Sequence, residues 1–95
     1  MRRANRIDDN QNDIVTALRK AGATVRIISQ GEGIPDLLVG FRGETMLMEV
    51  KDGNKPPSAR TLTDAEKKFF DDWRGGLLVI VESVEDALKM LEGIE

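Results

Sequence analysis

Two short apolar segments, residues 34–41 and 46–50, constrain the fold more than any other part of the chain. Their richness in Val, Leu, Met and Phe predicts buried β-strands. Charged residues nevertheless interrupt or end them, because Asp36 lies near the start of the first segment and Glu49 and Lys51 lie at the end of the second. A fold that accepts these strands must therefore also accommodate three charged side chains.

The two residues between the segments, 42 and 43, predict a tight hairpin, because residue 43 is glycine and can supply a positive φ. In a hairpin with a two-residue loop, Phe41 pairs with Glu44. Counting back along both strands then places Asp36 opposite Glu49, and the lysine two positions after Glu49 lies on the same face of its strand. A longer loop would change this register. The spacing predicts two carboxylates and one ammonium group in a single patch of the sheet.

Charged groups in a largely buried sheet are costly unless they are paired or bind a metal ion. Lys51 can satisfy the carboxylates by salt bridges, or the strand ends can leave all three side chains in water. A divalent ion such as Mg²⁺ is the alternative, since it binds one or two carboxylates, retains water ligands and makes one of those waters a better nucleophile. The chain has neither histidine nor cysteine. Any catalysis must therefore use carboxylates, lysine and a metal.

The residues of this hairpin resemble those of a known nuclease superfamily. Pro35-Asp36, followed by Glu49-Val50-Lys51, is similar to the PD-(D/E)xK signature. The flanking residues, in segments 33–37 and 48–51, resemble more specifically the virus-type replication-repair nuclease (VRR-NUC) domain in its stand-alone, phage-like form. The resemblance extends over nearly the whole chain and implies a restriction-endonuclease-like core.

The resemblance also implies an activity and roles for the site residues. Asp36, Glu49 and the carbonyl oxygen of Val50 are expected to bind Mg²⁺ or Mn²⁺, while Lys51 orients or deprotonates the attacking water. The implied function is a DNA endonuclease that acts on branched or structured DNA, such as a Holliday junction or a flap, in replication, recombination or repair. A homodimer is expected, because cutting both strands of a two-fold junction requires two active sites. We expect no organic cofactor.

Two positions depart from the pattern of the resembled family. Gln11, aligned on the glycine that ends the first helix, lies where the family carries a glutamate that assists the metal site. An amide can still bind a metal or its water, the role can pass to Asp8 or Asp13, or Gln11 can simply be a polar residue at a helix edge. Glu66 lies where the family has a glutamine near the site, but a helix-capping role alone would explain a glutamate here.

The predicted order of elements is αβββαβα, a three-layer α/β sandwich with a mixed central sheet in a single domain, residues 1–95. A first helix, capped by Asp8 or Asp9, should run to about residue 21 and precede a strand at 23–29. Thr63 and Glu66 predict a capping box for the second helix, and Ser83 predicts the cap of the third. The apolar run 77–81 predicts a central or parallel strand covered on both faces.

Several residues are candidates for other contacts. The second helix carries an aromatic stripe, Phe69, Phe70 and Trp73, which is expected in the core or a dimer surface and alternatively as a platform for unpaired bases. Gly33 is expected to let a substrate backbone approach Asp36. Contacts with DNA phosphates are expected from a flexible basic arm at residues 1–7 and from loop and helix cations; they are Arg2, Arg3, Arg6, Lys55, Arg60, Lys67 and Lys68.

The overall charge neither supports nor excludes nucleic acid as a partner. The net charge is −3, but residues 82–95 contribute five acids and one lysine, which leaves thirteen basic and twelve acidic groups in residues 1–81. No segment has the apolar length of a membrane span or a signal peptide, so a cytoplasmic protein of a phage or its bacterial host is expected. The alternatives to an endonuclease are a catalytically silent DNA-binding or protein-interaction domain and an exonuclease or nickase.

Overall fold

The computed structural model describes residues 8–94, in which three α-helices and four β-strands follow the predicted order αβββαβα. The elements are α1 (Gln11–Lys20), β1 (Thr24–Ile27), β2 (Leu37–Phe41), β3 (Glu44–Val50), α2 (Asp64–Asp72), β4 (Leu77–Val81) and α3 (Val84–Glu92), with a short 3₁₀ helix at Pro57–Ala59. The basic arm and its Arg2, Arg3 and Arg6 lie outside the described residues. The helices of residues 8–94 are at most ten residues long, too short to traverse a bilayer.

The four strands form one mixed sheet in the order β1-β2-β3-β4, which confirms the predicted fold class. Strands β1, β2 and β3 are antiparallel neighbours, and β4 runs parallel to β3. The prediction that residues 77–81 form a strand parallel to its neighbour is confirmed, but a central position covered on both faces is wrong. Because β2 already occupies the other side of β3, β4 lies at the edge of the sheet, where Leu77 and Ile80 are 44% and 42% exposed.

The hairpin between β2 and β3 has the predicted two-residue loop. Phe41 pairs with Glu44, and Leu37 pairs with Met48, so the next position along brings Asp36 opposite Glu49. Both loop residues have positive φ, 50° at position 42 and 84° at position 43, which is the backbone of a type I′ turn. The turn thus sets the register on which the arrangement of charged residues depends.

The core lies between the sheet and the helices α1 and α3. Alternate residues of β3, Met46, Met48 and Val50, are at most 1% exposed and contribute to it, together with Ile14 and Leu18 of α1. The intervening positions of β3 point to the opposite face of the sheet. One face of the sheet is therefore a packed core, and the other is available to a functional site.

The helix α2 is the third layer and contains no buried residue. Its aromatic side chains Phe69, Phe70 and Trp73 are half-buried and do not belong to the core of the described chain. Of the two places expected for these rings, the core is wrong, because α2 packs beside the loop at residues 31–33; a dimer surface stays a prediction. A Cβ on Gly33 would overlap the carbonyl oxygen of Ala65 in α2.

Side chains at the helix starts connect the helices to the rest of the fold. The capping box of Thr63 and Glu66 and the cap of Ser83 are present as predicted. The predicted cap of α1 is wrong, because Asn10 occupies that position and makes no side-chain capping bond. Its amide nitrogen instead donates to the carbonyl oxygens of Lys51 and Glu82, at 3.2 and 3.1 Å. This fixes the start of α1 against the ends of β3 and β4.

Candidate active site

The predicted charged residues line a groove at the end of the hairpin that is opposite to its turn. The groove has a volume of about 680 Å³. Its walls come from the hairpin, the loop at 29–34, the loop at 58–63 and the first turn of α2. The polar and charged residues that line it are Asp8, Ser29, Asp36, Glu49, Lys51, Lys55, Ser58, Thr61, Thr63, Glu32 and Glu66.

Asp36 is held by hydrogen bonds to both of its carboxylate oxygens. The hydroxyl of Ser29 donates to Oδ1 at 2.6 Å, and the backbone N–H of Val50 donates to Oδ2 at 2.8 Å. The second bond crosses the hairpin and depends on the predicted register. Ser29 was not identified from the sequence, although it is the second residue after β1 and is close to Asp36 once the backbone N–H of Ile28 is known to donate to the carbonyl oxygen of Asp36. The two bonds fix the orientation of the carboxylate.

Glu49 is buried, and neighbouring groups neutralise a negative charge on its carboxylate only in part. Its side chain lies on the same face as Lys51, whose Nζ is 3.6 Å from Oε2. The other oxygen, Oε1, is buried and has no hydrogen-bond partner among the described residues. Burial raises the pKa of Glu49 to about 9, and the negative charge of Asp36 adds to this effect while Lys51 opposes it. Glu49 is therefore protonated at neutral pH unless a further cation is present.

Lys51 makes its shortest contact with Glu66 of α2. Nζ donates to Oε1 of Glu66 at 2.8 Å, and the same oxygen accepts the backbone N–H of Thr63 at 2.9 Å. Burial acts to lower the pKa of Lys51, but the bond to Glu66 and the charges of Glu66 and Glu49 outweigh it and raise that pKa. Burial also acts to raise the pKa of Glu66, but the hydrogen bonds that Glu66 accepts from Lys51 and Thr63 outweigh this effect and lower that pKa. Glu66 thus caps its helix and orients the lysine at once.

Gln11 and Asp8 occupy different environments. Gln11 is 1% exposed, and its Nε2 has no partner among the described residues. It does not line the groove, whereas Asp8, three positions earlier, does. Burial raises the pKa of Asp8. Asp13, the other acidic residue considered for this role, is exposed on α1. Of the three residues considered for assisting a metal site, Gln11, Asp13 and Asp8, it is Asp8 that lines the same groove as the hairpin carboxylates.

Comparison with known proteins supports the resemblance carried by these residues. A solved structure described as a VRR_NUC domain superposes on this chain with a TM-score of 0.61 and 27% sequence identity, covering 93% of this chain and all of that one. The resemblance to the VRR-NUC domain is confirmed. No family model matches the sequence, and no curated protein matches it. The chain has a nuclease fold of the restriction-endonuclease type.

The cations predicted to contact DNA have different surroundings in the structure. Lys55 lines the groove, and its Nζ is 3.7 Å from Oδ1 of Asp8. Arg60 is half-buried and pairs with Glu82 at 3.2 Å, away from the groove lining. Lys67 and Lys68 are exposed on α2, where Lys68 pairs with Asp72 at 3.0 Å. Exposed pairs of this kind are weak, so Lys68 remains able to contact another anion.

The oxygen atoms of this site suit a hard divalent cation. Glu49 offers the unpartnered, buried Oε1, and Asp36 lies across the hairpin from it. Within residues 8–94, no three acidic side chains form a complete ligand cage. Mg²⁺ usually binds one or two carboxylates and completes its octahedron with water and substrate oxygens. The oxygen donors of this site therefore fit Mg²⁺ or Mn²⁺ without a third carboxylate.

Gly33 has a structural role that the sequence did not indicate. Its φ is +77°, and the absence of a side chain admits the carbonyl oxygen of Ala65 at the start of α2. The glycine lets the loop that precedes Asp36 pack against the helix that carries Glu66, so the two walls of the groove are in contact. Gly33 also lines the groove, so the approach of a substrate backbone to Asp36 beside this glycine-bearing loop stays a prediction.

Proposed function

We propose that this protein is a metal-dependent DNA endonuclease that hydrolyses phosphodiester bonds. The observation that carries the proposal is the placement of Asp36 across the hairpin from Glu49, with Lys51 beside them, in a groove open to solvent. The confirmed similarity to a VRR-NUC domain supports it, because that similarity covers nearly the whole chain. The combination favours an enzyme over a silent domain, since a structural role would not require these three groups on one face.

Asp36, Glu49 and the carbonyl oxygen of Val50 are the groups that would hold Mg²⁺ or Mn²⁺. When bound, such an ion lowers the pKa of a water molecule and neutralises charge on a phosphate group. The hydrogen bonds of Asp36 to Ser29 and to the backbone of Val50 keep its carboxylate oriented before substrate arrives. Glu49 must lose its proton to act as a ligand, because its pKa is about 9.

Lys51 acts in this proposal as a hydrogen-bond donor and not as a base. Hydrolysis joins a water oxygen to phosphorus and breaks one bridging P–O bond, so negative charge develops on the phosphoryl oxygens. The raised pKa of Lys51 keeps it an ammonium group that can orient the water and stabilise this charge. Glu66 holds the ammonium group in place through the 2.8 Å contact. Of the two roles predicted from the sequence, orientation is the better supported.

We further propose branched or structured DNA as the substrate and a homodimer as the active form. Large apolar residues remain exposed on the sheet, with Leu38 38% and Ile80 42% exposed, and a second copy would cover them. Two copies would provide the two sites that a two-fold junction requires. Lys55, Lys67 and Lys68 are the described cations available to phosphates, and Arg2, Arg3 and Arg6 would extend them. The cytoplasm of a phage host is where we expect this activity.

The experiment is a cleavage assay on linear duplex, flap, four-way-junction and covalently closed circular DNA. Each substrate is incubated with Mg²⁺, with Mn²⁺ and with a chelator. Native protein is expected to cut only with metal, and Asp36→Asn is expected to reduce the rate by at least about 10²-fold. Asp71→Asn, an exposed position on α2, is the matched control and should cut like the native protein. Sedimentation at the assay concentration reports the oligomeric state.

The outcomes separate the alternatives. Cutting of closed circles indicates an endonuclease, relaxation without linear product indicates a nickase, and activity on linear DNA alone indicates an exonuclease. Absence of cutting with either metal contradicts the proposal and leaves a silent binding domain. Cleavage by Asp36→Asn at the native rate contradicts the assigned site even if the protein is a nuclease. A monomer that cuts junctions as fast as any dimeric fraction removes the dimer from the proposal.

A further inference from the structure

A second cavity lies beside the catalytic groove, on the outer side of α2. Its volume is about 380 Å³, and its walls are mainly apolar. The residues that line it are Glu32, Ala65, Lys68, Phe69, Asp72 and Trp73. Glu32 and Ala65 also line the catalytic groove, so the cavity and the groove are adjoining spaces that share a wall. None of the proposed catalytic residues lies in this cavity.

Two aromatic rings form one side of the cavity. The rings of Phe69 and Trp73 have centroids 5.5 Å apart and an interplanar angle of 19°, which is a parallel stack. Both side chains are half-buried, and neither belongs to the core. A stack of this kind can be extended by a third flat ring, since π faces associate in offset parallel geometry.

The indole of Trp73 is fixed in position before any ligand binds. Its Nε1 donates to the carbonyl oxygen of Gly76 at 2.7 Å. Its six-membered ring lies against Gly75, where a Cβ would overlap the ring. A side chain that is already immobile loses little conformational entropy on binding, so the ring is suited to act as a platform.

The size and the polar rim of the cavity favour a small ring system with amino groups. A volume of about 380 Å³ is near the lower end of the range for ligand pockets, which favours a small occupant. Glu32 and Asp72 line the cavity, and their carboxylates can accept hydrogen bonds from amino groups. Lys68, which pairs with Asp72 on the surface, supplies a cation beside them for a backbone phosphate.

We propose that this cavity binds an unpaired nucleobase of the DNA strand whose backbone lies in the catalytic groove. The inference rests on the proposed nuclease function and names the feature of DNA that the protein selects. A base that is paired in a duplex is stacked on its neighbours and cannot stack on these rings without leaving the helix, whereas a base at a branch, flap or gap can rotate onto them. Stacking on the rings of Phe69 and Trp73 contributes the affinity for the base. Because the cavity and the groove share a wall at Glu32 and Ala65, a base bound in the cavity lies next to the backbone that is cleaved.

The test uses the fluorescence of Trp73, which is the only tryptophan in a chain without tyrosine. Protein with chelator and without metal is titrated with a tetranucleotide of deoxyadenosine and with an abasic tetranucleotide of the same charge. Stacking of a base is expected to quench Trp73. It should also make the deoxyadenosine tetranucleotide bind about 10-fold more tightly than the abasic one, since stacking is worth about 1–3 kcal/mol per base. A blunt duplex should leave Trp73 unquenched.

Two variants of neighbouring residues provide the comparison. Phe69→Leu keeps an apolar side chain but removes one ring of the stack, so it should abolish the preference for the deoxyadenosine tetranucleotide over the abasic one. Phe70→Leu is the matched control, because Phe70 is half-buried on the same helix but does not line the cavity, and it should behave as the native protein. Circular dichroism confirms that each variant is folded, and the two probes on native protein do not depend on any variant.

Equal affinity of native protein for the two tetranucleotides overturns the inference. So does a preference that survives Phe69→Leu in a folded variant. A change in Trp73 emission with protein concentration alone, without DNA, would indicate that a second copy covers the cavity and would also overturn it. Base-dependent quenching in a protein that cleaves no DNA with metal supports the base site and contradicts the nuclease proposal. Cleavage with metal but without base-dependent quenching supports the nuclease proposal and contradicts the base site.

Discussion

Replacement of Glu49 by glutamine should make the stability of the metal-free protein less dependent on pH. The pKa of Glu49 is raised from 4.5 to about 9, because the carboxyl group is buried beside Asp36. Between these values the folded protein holds a proton that the unfolded chain releases. Folding therefore takes up a proton, and the free energy of unfolding falls as pH rises through this range. Glutamine has a similar shape and does not titrate, so Glu49→Gln lacks this contribution.

The magnitude follows from the shift itself. One pH unit corresponds to about 1.4 kcal/mol for a group that is protonated in one state and ionised in the other. Between about pH 6 and about pH 8, native protein should lose about 3 kcal/mol of stability relative to Glu49→Gln. The constant effects of the substitution, such as changed packing, cancel in this difference between two pH values. That cancellation makes the comparison specific for titration at position 49.

Urea unfolding monitored by circular dichroism measures the effect. Native protein and Glu49→Gln are unfolded at both pH values with a chelator and again with excess Mg²⁺. In the proposed metal site the Glu49 carboxylate is a ligand, so Mg²⁺ should stabilise the native protein, more at the higher pH, and should leave the variant unchanged. Parallel pH dependences of the two proteins in chelator would falsify the account of a buried, protonated carboxyl. Equal stabilisation of both by Mg²⁺ would show that the ion binds elsewhere.

Three other predictions concern separate parts of the site. Lys51→Met should lower the rate constant of cleavage in single-turnover assays by about 10²- to 10³-fold while Mn²⁺ still binds. Cleavage at the native rate would contradict the role of Lys51 as a hydrogen-bond donor. Gly33→Ala should lower the free energy of unfolding, measured in urea, by more than about 2 kcal/mol, because the added Cβ would overlap α2. Gly43→Ala, which has a similar φ but open space around it, should lower the free energy of unfolding by about 1 kcal/mol. Equal losses would refute steric overlap with α2. Asp8→Asn should weaken Mn²⁺ binding about tenfold by calorimetry, and Asp13→Asn should not; equal effects would place the ion elsewhere.

The hairpin was predictable because every quantity it depends on is local. A glycine at position 43 selects a two-residue loop, the loop sets the register, and the register places Asp36 opposite Glu49. The strand period of two then adds Lys51 to the same face. Caps at Thr63 and Ser83 were predictable for the same reason, since each depends on a side chain and a backbone group three residues away.

The surroundings of the hairpin were not predictable, because they depend on residues that are distant in sequence. Nothing near Asn10 indicates that its amide binds the carbonyl oxygens of Lys51 and Glu82, so the sequence suggested the wrong cap. The role considered for Gln11 followed from its alignment with a helix glutamate of the resembled family, but only packing shows that Gln11 is buried and that Asp8 reaches the groove.

The sequence by itself determined the order of elements and the three charged residues at the end of the hairpin, since strand periodicity, turn geometry and residue type are properties of short segments. Only the tertiary structure decided that β4 lies at the sheet edge, that Glu66 holds Lys51, and that α2 is open on its outer side. These depend on which surfaces meet when the chain folds. The buried Glu49 carboxyl depends on both sequence and tertiary structure, because its position follows from the register and its raised pKa follows from packing.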